Sequence, residues 1–467
     1  MRRLLAVALP LIVASCAART PAATPGAGPP AEDPAALIGS GCYRCLERAF
    51  DAAQARRDVR QAFEAAALLV LRSKELGLPH ERWLASARGL AEDRDADVLA
   101  MVEAIPPHPL SGDPDGVMNF AGRIQARTSM TEWRDALQNG PWSGVFRAYL
   151  DVALICAFGR IVENEHSFTG PIDAVAATPL YEYRLGICDS AQAARLTAFR
   201  ERNPDFVDAD LPLGTYAFEN PVEPDLEEGL RRLQSAAEAF PQSPAVAATI
   251  GNVHRAWEEW GDALLAYDRA LALSPDHPEA MIGRTISLSR LSRPDEAIDT
   301  ASRVIAGGRW RLGEAYYWRG WNHLVRADYQ LAREDADRAK KLMANAAVFV
   351  LSGVIEWRLG RLESAERDFE QALLMDLGEC EAAANLGMVR AERGKVPGAV
   401  AAFTQARQCY DLSIALREDA IRKIRSGAGS EATKTRAAGI HERWLAEFRE
   451  RRDTVLRSMD ALEKRGA

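Results

Sequence analysis

The sequence predicts an all-α protein built as an α-solenoid of stacked helical hairpins, and two observations support this prediction. Alanines recur at intervals of about 34 residues, at Ala263, Ala297, Ala332, Ala365 and Ala399. Twelve positions before each alanine lies a small residue: Gly251, Thr285, Gly320, Gly353 and Gly387. Four positions after each alanine lies an aromatic residue or another alanine: Tyr267, Ala301, Ala336, Phe369 and Phe403. Such a period indicates hairpins whose two helices cross closely.

These positions resemble the tetratricopeptide repeat, and the resemblance covers residues 225–413. Residues 225–241 match only the second helix of a first unit. We expect the first helix of that unit to be missing, because 211–224 contains three prolines and is rich in turn-forming residues. The resemblance implies a right-handed solenoid that binds other proteins and rarely carries chemistry itself. Five full units follow the half unit, at 244–277, 278–311, 313–345, 346–379 and 380–413.

The tail, 414–467, is expected to cap the array, because the last unit of a solenoid would otherwise leave an apolar face uncovered. Apolar residues recur in it at helical spacing, and charged residues of both signs occupy the opposite face. The sequence therefore predicts a C-terminal capping helix. Its apolar positions are Trp444, Leu445, Phe448, Val455, Leu456, Met459 and Leu462.

The N-terminus, 1–16, has the order of an export signal. Arg2 and Arg3 precede an apolar stretch that is too short to span a bilayer. The stretch ends in Val-Ala-Ser-Cys, which resembles a bacterial lipobox and implies that Cys16 is lipidated after cleavage. The alternative is an ordinary secretory signal that is cut nearby. The lipobox implies a lipid-anchored protein of the bacterial cell envelope, and the alanine at position 17 favours the outer membrane.

Three segments separate the signal from the repeats. Residues 17–33 consist almost entirely of Ala, Pro, Gly and Thr, which predicts a disordered tether. Residues 34–105 show helical periodicity and are expected to form helical hairpins; one interpretation is that they are degenerate repeats. Residues 106–224 lose the repeat register, so we expect an irregular helical insert. Its helices are expected near 116–137, 144–163 and 189–202.

The seven cysteines suit an oxidising compartment, because six remain once Cys16 takes lipid. In the repeat register, Cys380 begins a first helix and Cys409 lies in the last turn of the second helix. The two helices are antiparallel, so these ends meet and a disulfide is expected. Cys156 and Cys188 are then paired by elimination.

Cys42 and Cys45 form a CxxC pair at the start of a helical stretch. A redox motif of the thioredoxin type would follow a strand, and none is predicted here. A haem attachment site requires histidine at position 46, which is leucine. A local structural disulfide is the favoured interpretation, and reactive or metal-bound thiols stay open.

Nothing in the sequence indicates catalysis, a cofactor or a metal site. The net charge is −8, which argues against a nucleic-acid partner. None of the seven histidines belongs to a metalloprotease motif, and there is no phosphate loop or serine-hydrolase motif. Glu163, Glu165 and His166 form a polar cluster that is expected to be a solvated loop. Lytic transglycosylases also build helical superhelices, but the motif of their catalytic domain has no counterpart here.

A partner is expected in the concave groove, and the resemblance assigns its lining to particular positions of each first helix. Rings and arginines at these positions would suit an extended, partly acidic peptide. The alternative is that Tyr317, Trp321 and Trp357 only fill contacts between units. The predicted lining consists of Asn252, Arg255, Arg290, Tyr317, Trp321, Trp357 and Arg358.

Three classes of function remain at this stage. The leading one is a non-enzymatic protein–protein interaction scaffold of the cell envelope, similar to repeat-bearing lipoproteins that assemble outer-membrane proteins or pili. The second is a glycan-binding lipoprotein of the starch-utilisation type, although that family carries large insertions in its array and 244–413 has none. The third is an envelope enzyme with its site in 106–224.

Overall fold

A computed structural model of the chain describes residues 32–105, 136–159, 178–187, 193–219, 225–308, 311–427 and 431–466. Within these ranges every regular element is a helix, as the sequence predicts. None of the helices in the described ranges is both long enough and apolar enough to cross a bilayer. The lipobox and most of the tether lie outside the described residues. So do the Cys156–Cys188 pairing, the Glu163–His166 cluster and nearly all of the expected helix at 116–137.

The repeats form six helical hairpins, which we number units 1 to 6. Each unit has a first helix and a second helix of 10 to 14 residues, apart from the longer second helix of unit 6. The helices are Asp210–Glu219 and Leu226–Ala239, Pro244–Ala256 and Trp260–Leu273, Pro278–Arg290 and Pro294–Gly307, Leu312–Val325 and Tyr329–Leu342, Ala346–Arg358 and Leu362–Met375, and Cys380–Glu392 and Val396–Ser426.

Small local signals define the ends of these helices. Ser243 and Asn345 cap first helices by accepting the N–H groups of Val246 and Val348, both at 3.1 Å. Each turn between the two helices of units 2 to 6 contains one residue in the left-handed region of backbone space. In units 2 to 6 in turn, this residue is Glu258, Ser292, Ala327, Gly360 and Gly394. Only units 5 and 6 therefore have glycine at this position.

The 34-residue period follows from the crossing of the two helices in each unit. A Cβ atom added to Gly353 would lie 2.7 Å from the ring of Phe369, and one added to Gly387 would lie 2.5 Å from the ring of Phe403. Both rings are completely or almost completely buried. The small residue of the first helix therefore makes room for the ring of the second, which confirms the prediction from spacing.

Unit 1 is complete, so the prediction of a missing first helix is wrong. Asp210–Glu219 is a helix and packs against the second helix of the unit. Pro212 is its third residue, where the backbone N–H has no partner within the helix and a proline costs little. The crossing repeats the pattern of the other units, because a Cβ atom on Gly229 would lie 3.0 Å from the carbonyl oxygen of Gly214. The irregular region therefore ends before residue 210.

The curvature of the array follows from the contacts between units. The first helices of units 2 to 6 contact one another in sequence, in addition to their contacts with the intervening second helices. Helices on the inside of a curved array approach each other in this way. The first helices therefore line the concave face, and the second helices lie outside.

The region before the array packs against its beginning. The hairpin formed by Tyr43–Arg56 and Val59–Leu76 is followed by Glu81–Leu90 and Ala96–Ala104. The second helix of this hairpin is buried from Ala62 to its end. Ser243, the cap of unit 2, donates a hydrogen bond to the carbonyl oxygen at the end of that helix at 2.5 Å. The front helices and units 1 and 2 therefore share one apolar core.

A buried ionic network lies inside this front region. The Arg72 side chain is completely buried and forms ion pairs with Glu75 and Asp208. Glu75 also accepts hydrogen bonds from Tyr149 at 2.5 Å and Arg184 at 2.6 Å. These residues come from helices Val59–Leu76, Gly144–Gly159 and Pro179–Gly186 and from the turn at Val207–Ala209. The network therefore joins the irregular region to the front hairpin.

Two disulfides are present in the described part of the chain. Cys380 and Cys409 are bonded, with their Cα atoms 5.4 Å apart, as the repeat register predicts. Cys42 and Cys45 are bonded to each other, with their Cα atoms 4.9 Å apart. In the loop-closure model, the Cys380–Cys409 bond stabilises the fold by about 3.5 kcal/mol. The Cys42–Cys45 bond contributes only about 2 kcal/mol, because the loop that it closes is so short.

The C-terminal region forms a long hairpin with the second helix of unit 6. Residues 414–426 continue the second helix of unit 6, and the chain then returns along it as the C-terminal helix, Glu431–Gly466. Leu445, Val455 and Leu462 are buried as predicted, whereas Leu456 is 37% exposed and lies off the packed face.

Candidate partner-binding groove

The C-terminal helix closes the array by contacting unit 2, which is four units away from the unit that it caps. Its first half carries Arg436, whose guanidinium lies 3.4 Å from the ring centroid of Trp257 and forms an ion pair with Glu259. Trp444 donates from Nε1 to Glu258 at 2.5 Å, and Arg443 pairs with the same carboxylate. We call these six residues the closing contact. The hairpin of the last two helices therefore links unit 6 to unit 2.

Reversing the charges of the closing contact should destabilise the protein measurably. Replacing Arg436 and Arg443 with glutamate removes two ion pairs and one cation–π contact and brings like charges together. We expect the free energy of unfolding to fall by roughly 1–3 kcal/mol in a urea titration at low salt. Arg422→Glu is the matched control, because Arg422 is exposed and pairs with Asp419 on its own helix. Equal losses in both proteins would mean that the closing contact contributes nothing.

The same helix already covers the groove in unit 6. Arg451 forms an ion pair with Glu381 at 3.0 Å, and Ser458 donates to the sulfur of Met388 at 3.7 Å. Met388 follows Gly387 as Trp321 follows Gly320, so it occupies a groove-facing position of its unit. The sequence did not predict that the C-terminal helix covers the groove of unit 6. The concave surface that is left for a partner is therefore provided by the earlier units.

Two of the predicted lining residues have exposed guanidinium groups. Arg290 and Arg358 are the last residues of the first helices of units 3 and 5, and both are exposed. The guanidinium of Arg290 lies 5.7 Å from the ring centroid of Trp260. Within the described residues neither arginine forms an ion pair, although carboxylates neutralise most of the neighbouring arginines. These two side chains are therefore available to an acidic partner.

The three predicted rings are half-buried and take part in contacts between units. Tyr317 and Trp321 pack against the apolar cluster that joins units 4 and 5, and Trp357 donates from Nε1 to Glu392 of unit 6 at 2.7 Å. Burial, together with the nearby Glu381 carboxylate, raises the pKa of Tyr317 to about 12. Its hydroxyl therefore stays protonated at neutral pH. The rings stabilise the array and still present part of their surface.

Asn252 and Arg255 of unit 2 are half-buried. The side-chain oxygen of Asn252 accepts a hydrogen bond from Tyr267 at 2.7 Å, and its nitrogen donates weakly to Glu279 of unit 3 at 3.4 Å. The Nε atom of Arg255 is buried without a hydrogen-bond partner among the described residues. Five of the seven predicted residues therefore take part in inter-helix or inter-unit contacts, namely Asn252, Arg290, Tyr317, Trp321 and Trp357. Among the described residues, Arg358 forms no hydrogen bond or ion pair.

Among the residues that the structure describes, one group of side chains has the spacing of a metal site, but its hydrogen bonds do not fit a bound cation. His254, Glu259 and Asp262 lie close enough to share an ion. Glu259 already accepts hydrogen bonds from His254 at 2.8 Å and from the Arg436 guanidinium. The arginine therefore supplies the positive charge that a cation would bring.

Comparison with known proteins supports the repeat assignment. The tetratricopeptide repeat family model matches residues 248–310 and 351–413. The human Tetratricopeptide repeat protein 13 is 29% identical over 126 residues, which are 27% of this chain and 14% of that protein. The structure of Cut9–Hcn1 from an APC/C hetero-tetramer covers 91% of each chain at 13% identity, with a TM-score of 0.43. YrrB, described as having an unusual peptide-binding site, covers 38% of this chain and 91% of its own at 22% identity, with a TM-score of 0.32.

The six hairpins, their close crossings and the family match over 248–310 and 351–413 show that this part of the chain is an array of tetratricopeptide repeats. Arrays of this class are protein–protein interaction scaffolds that bind peptide or protein partners, and they are generally not enzymes. The matched part of this chain spans only a small part of the human relative, so the repeat class is what the two proteins share.

Proposed function

We propose that the protein is a lipid-anchored scaffold of the bacterial cell envelope, and that it binds an extended, partly acidic segment of a partner along the concave face of units 3 to 5. The observation that supports the site is the pair of exposed guanidinium groups at Arg290 and Arg358, which stand near half-buried rings. Guanidinium groups bind carboxylates with two parallel hydrogen bonds, and rings bind the apolar parts of a peptide.

The closing contact limits what the groove can accept. Unit 6 is covered by the C-terminal helix, and the closing contact ties the same helix to unit 2. A folded domain would have to displace this helix, whereas an extended chain can lie along the first helices without disturbing it. An extended peptide is therefore the partner form that fits the described groove best.

Charge reversal at the two arginines tests the site. We expect Arg290→Glu together with Arg358→Glu to reduce recovery of the specific partner from native envelope extracts at least about tenfold, since losing an arginine hot spot costs about 2 kcal/mol. Arg338→Glu together with Arg367→Glu is the matched control, because both arginines are exposed on second helices. Circular dichroism verifies that both variants are folded. Undiminished recovery by the groove variant would place the site elsewhere.

Lipidation of Cys16 is the second part of the proposal. The support is the order of basic residues, apolar stretch and Val-Ala-Ser-Cys at the N-terminus. We expect Cys16→Ser to abolish labelling by a palmitate analogue and to release the protein from the membrane fraction of a bacterial host. Ser15→Ala serves as a control for a neutral change in the same segment. Labelling and membrane retention of the Cys16 variant at the level of the natural protein would contradict the anchor.

A further inference from the structure

The Cys42–Cys45 disulfide lies at the start of a helix, in an environment unlike that of the other described disulfide. Cys42 is the N-cap residue of the helix Tyr43–Arg56, and its Sγ atom accepts the backbone N–H of Cys45 at 3.1 Å. Both cysteines are half-buried, and Arg44 between them is exposed. The N–H of Cys45, which points at this sulfur, and the helix dipole at this end favour a negative charge, so a thiolate at Cys42 would be stabilised.

The bond contributes little as a structural link. The two cysteines are separated by three positions, and the helix already holds them together. The Cys380–Cys409 bond instead spans a sequence separation of 29 residues and joins the two helices of unit 6. Loop-closure stabilisation grows with the length of the closed loop, so the short loop gains the least. Stabilisation of the fold therefore does not explain the placement of the CxxC pair.

A surface cavity lies beside Tyr43 and Arg44, the two residues that separate the cysteines. Its volume is about 470 Å³, its apolar walls include Leu78 and Phe240, and the cysteines themselves do not line it. Asp208 accepts the N–H of Tyr43 at 2.8 Å, but its charge is balanced by the ion pair with Arg72. Cys42 also packs against a buried apolar cluster that includes Tyr183 and Phe206. The helix terminus is therefore the feature that would stabilise a thiolate at Cys42.

We propose that Cys42–Cys45 is a redox-active disulfide that exchanges with the thiols of protein substrates. The site is separate from the groove and does not depend on the function proposed for it. A thioredoxin-type strand is not needed for this chemistry, because the helix terminus provides the stabilisation of the thiolate.

The exchange has two steps. A substrate thiolate attacks Sγ of Cys42, the Cys42–Cys45 bond breaks, and the electron pair leaves on Sγ of Cys45, which takes up a proton. A second substrate thiolate then attacks the substrate sulfur of the mixed disulfide and expels Cys42 as a thiolate. The substrate has lost two electrons and two protons and carries a new disulfide, and the protein holds the dithiol. Glutathione disulfide can reoxidise the dithiol by the reverse exchange, which yields two molecules of glutathione.

Equilibration of the full chain with glutathione buffers tests this proposal. Reduced and oxidised fractions of each pair are counted by alkylation and peptide mass spectrometry, with Cys380–Cys409 as the internal control. We expect Cys42–Cys45 to be half-reduced under conditions at least about tenfold more oxidising than those that half-reduce the control pair. Reduction of both pairs over the same range, or of the control pair first, would contradict the proposal.

Two further measurements test the proposal without relying on the glutathione equilibrium. The pH dependence of alkylation should give Cys42 a thiol pKa below the ordinary value of about 8.5. The natural protein should accelerate disulfide formation in reduced ribonuclease A with glutathione disulfide present, and Cys42→Ser should abolish this acceleration. Cys380→Ser with Cys409→Ser should retain it. An ordinary or raised pKa, or equal rates with and without Cys42, would overturn the assignment.

Discussion

Replacing Arg72 with methionine should lower the free energy of unfolding by about 3–5 kcal/mol. The Arg72 side chain is completely buried and pairs with both Glu75 and Asp208. Its removal leaves two buried carboxylates, and Asp208 keeps only the N–H of Tyr43 as a described hydrogen-bond partner. The cost of burying a charge without a partner, rather than the value of the ion pair itself, is the source of this large effect.

Urea titration followed by circular dichroism measures this loss, and Arg82→Met provides the control. Arg82 pairs with Glu47 at 2.6 Å, but about two thirds of its side chain is exposed, so we expect a loss of at most about 1 kcal/mol. The same titration of Arg72→Met with Asp208→Asn should recover part of the stability, because the carboxylate that lost its ion pair no longer carries charge, whereas Glu75 keeps its ion pair with Arg184. A loss below about 1 kcal/mol for Arg72→Met alone would show that the network is not essential to the front region.

Replacing Tyr267 with alanine should have an effect of similar size, about 3–5 kcal/mol. The ring is completely buried in unit 2, and a Cβ atom on Gly251 would lie 2.6 Å from it. Gly283 of unit 3 faces the same ring, so the ring fills space in two neighbouring units. Its hydroxyl also donates to Asn252 at 2.7 Å. The alanine variant would therefore leave a cavity where unit 2 meets unit 3 and an amide oxygen without this donor.

Tyr267→Phe separates the two contributions. It keeps the ring and removes the hydroxyl, so we expect a loss of only about 0.5–1.5 kcal/mol. Hydrogen exchange measured by mass spectrometry should show faster exchange in units 2 and 3 of the alanine variant than in unit 6, because each unit of a solenoid contacts mainly its neighbours. Equal stability of the alanine and phenylalanine variants would mean that the glycine–ring crossing does not stabilise the array.

The sequence predicted the fold of the array because its determinants are local and repeat. Gly353 and Phe369 stand at a fixed spacing within one hairpin, so they indicate the crossing without knowledge of distant residues. The first helix of unit 1 was not predicted, because its prolines were interpreted as turn signals. Pro212, together with further prolines up to residue 224, suggested turns, but a proline in the first turn of a helix is compatible with it.

The closing contact was not predictable in the same way. The amphipathic face around Trp444 indicates that the C-terminal helix packs on something, and its length of 36 residues exceeds what one capped unit requires. That it reaches Glu258 and Glu259 depends on the curvature accumulated over the intervening units, which no single repeat encodes.

The groove could be predicted only in part. The repeat register identified the helices that carry Arg290 and Arg358. The hydrogen bond from Trp357 to Glu392 could not be predicted in this way, because it depends on how the next unit packs.

Site-specific photo-crosslinking in cells of the native source tests the central claim most directly. A photoreactive phenylalanine analogue is placed at Arg358 in the groove and, in a separate protein, at Arg338 on the outer face, and the adducts are mapped by mass spectrometry. We predict a discrete adduct from position 358 with an extended, partly acidic segment of an envelope protein and none from position 338. A partner adduct from position 338 with none from position 358 would contradict the assignment of the concave groove as the binding site.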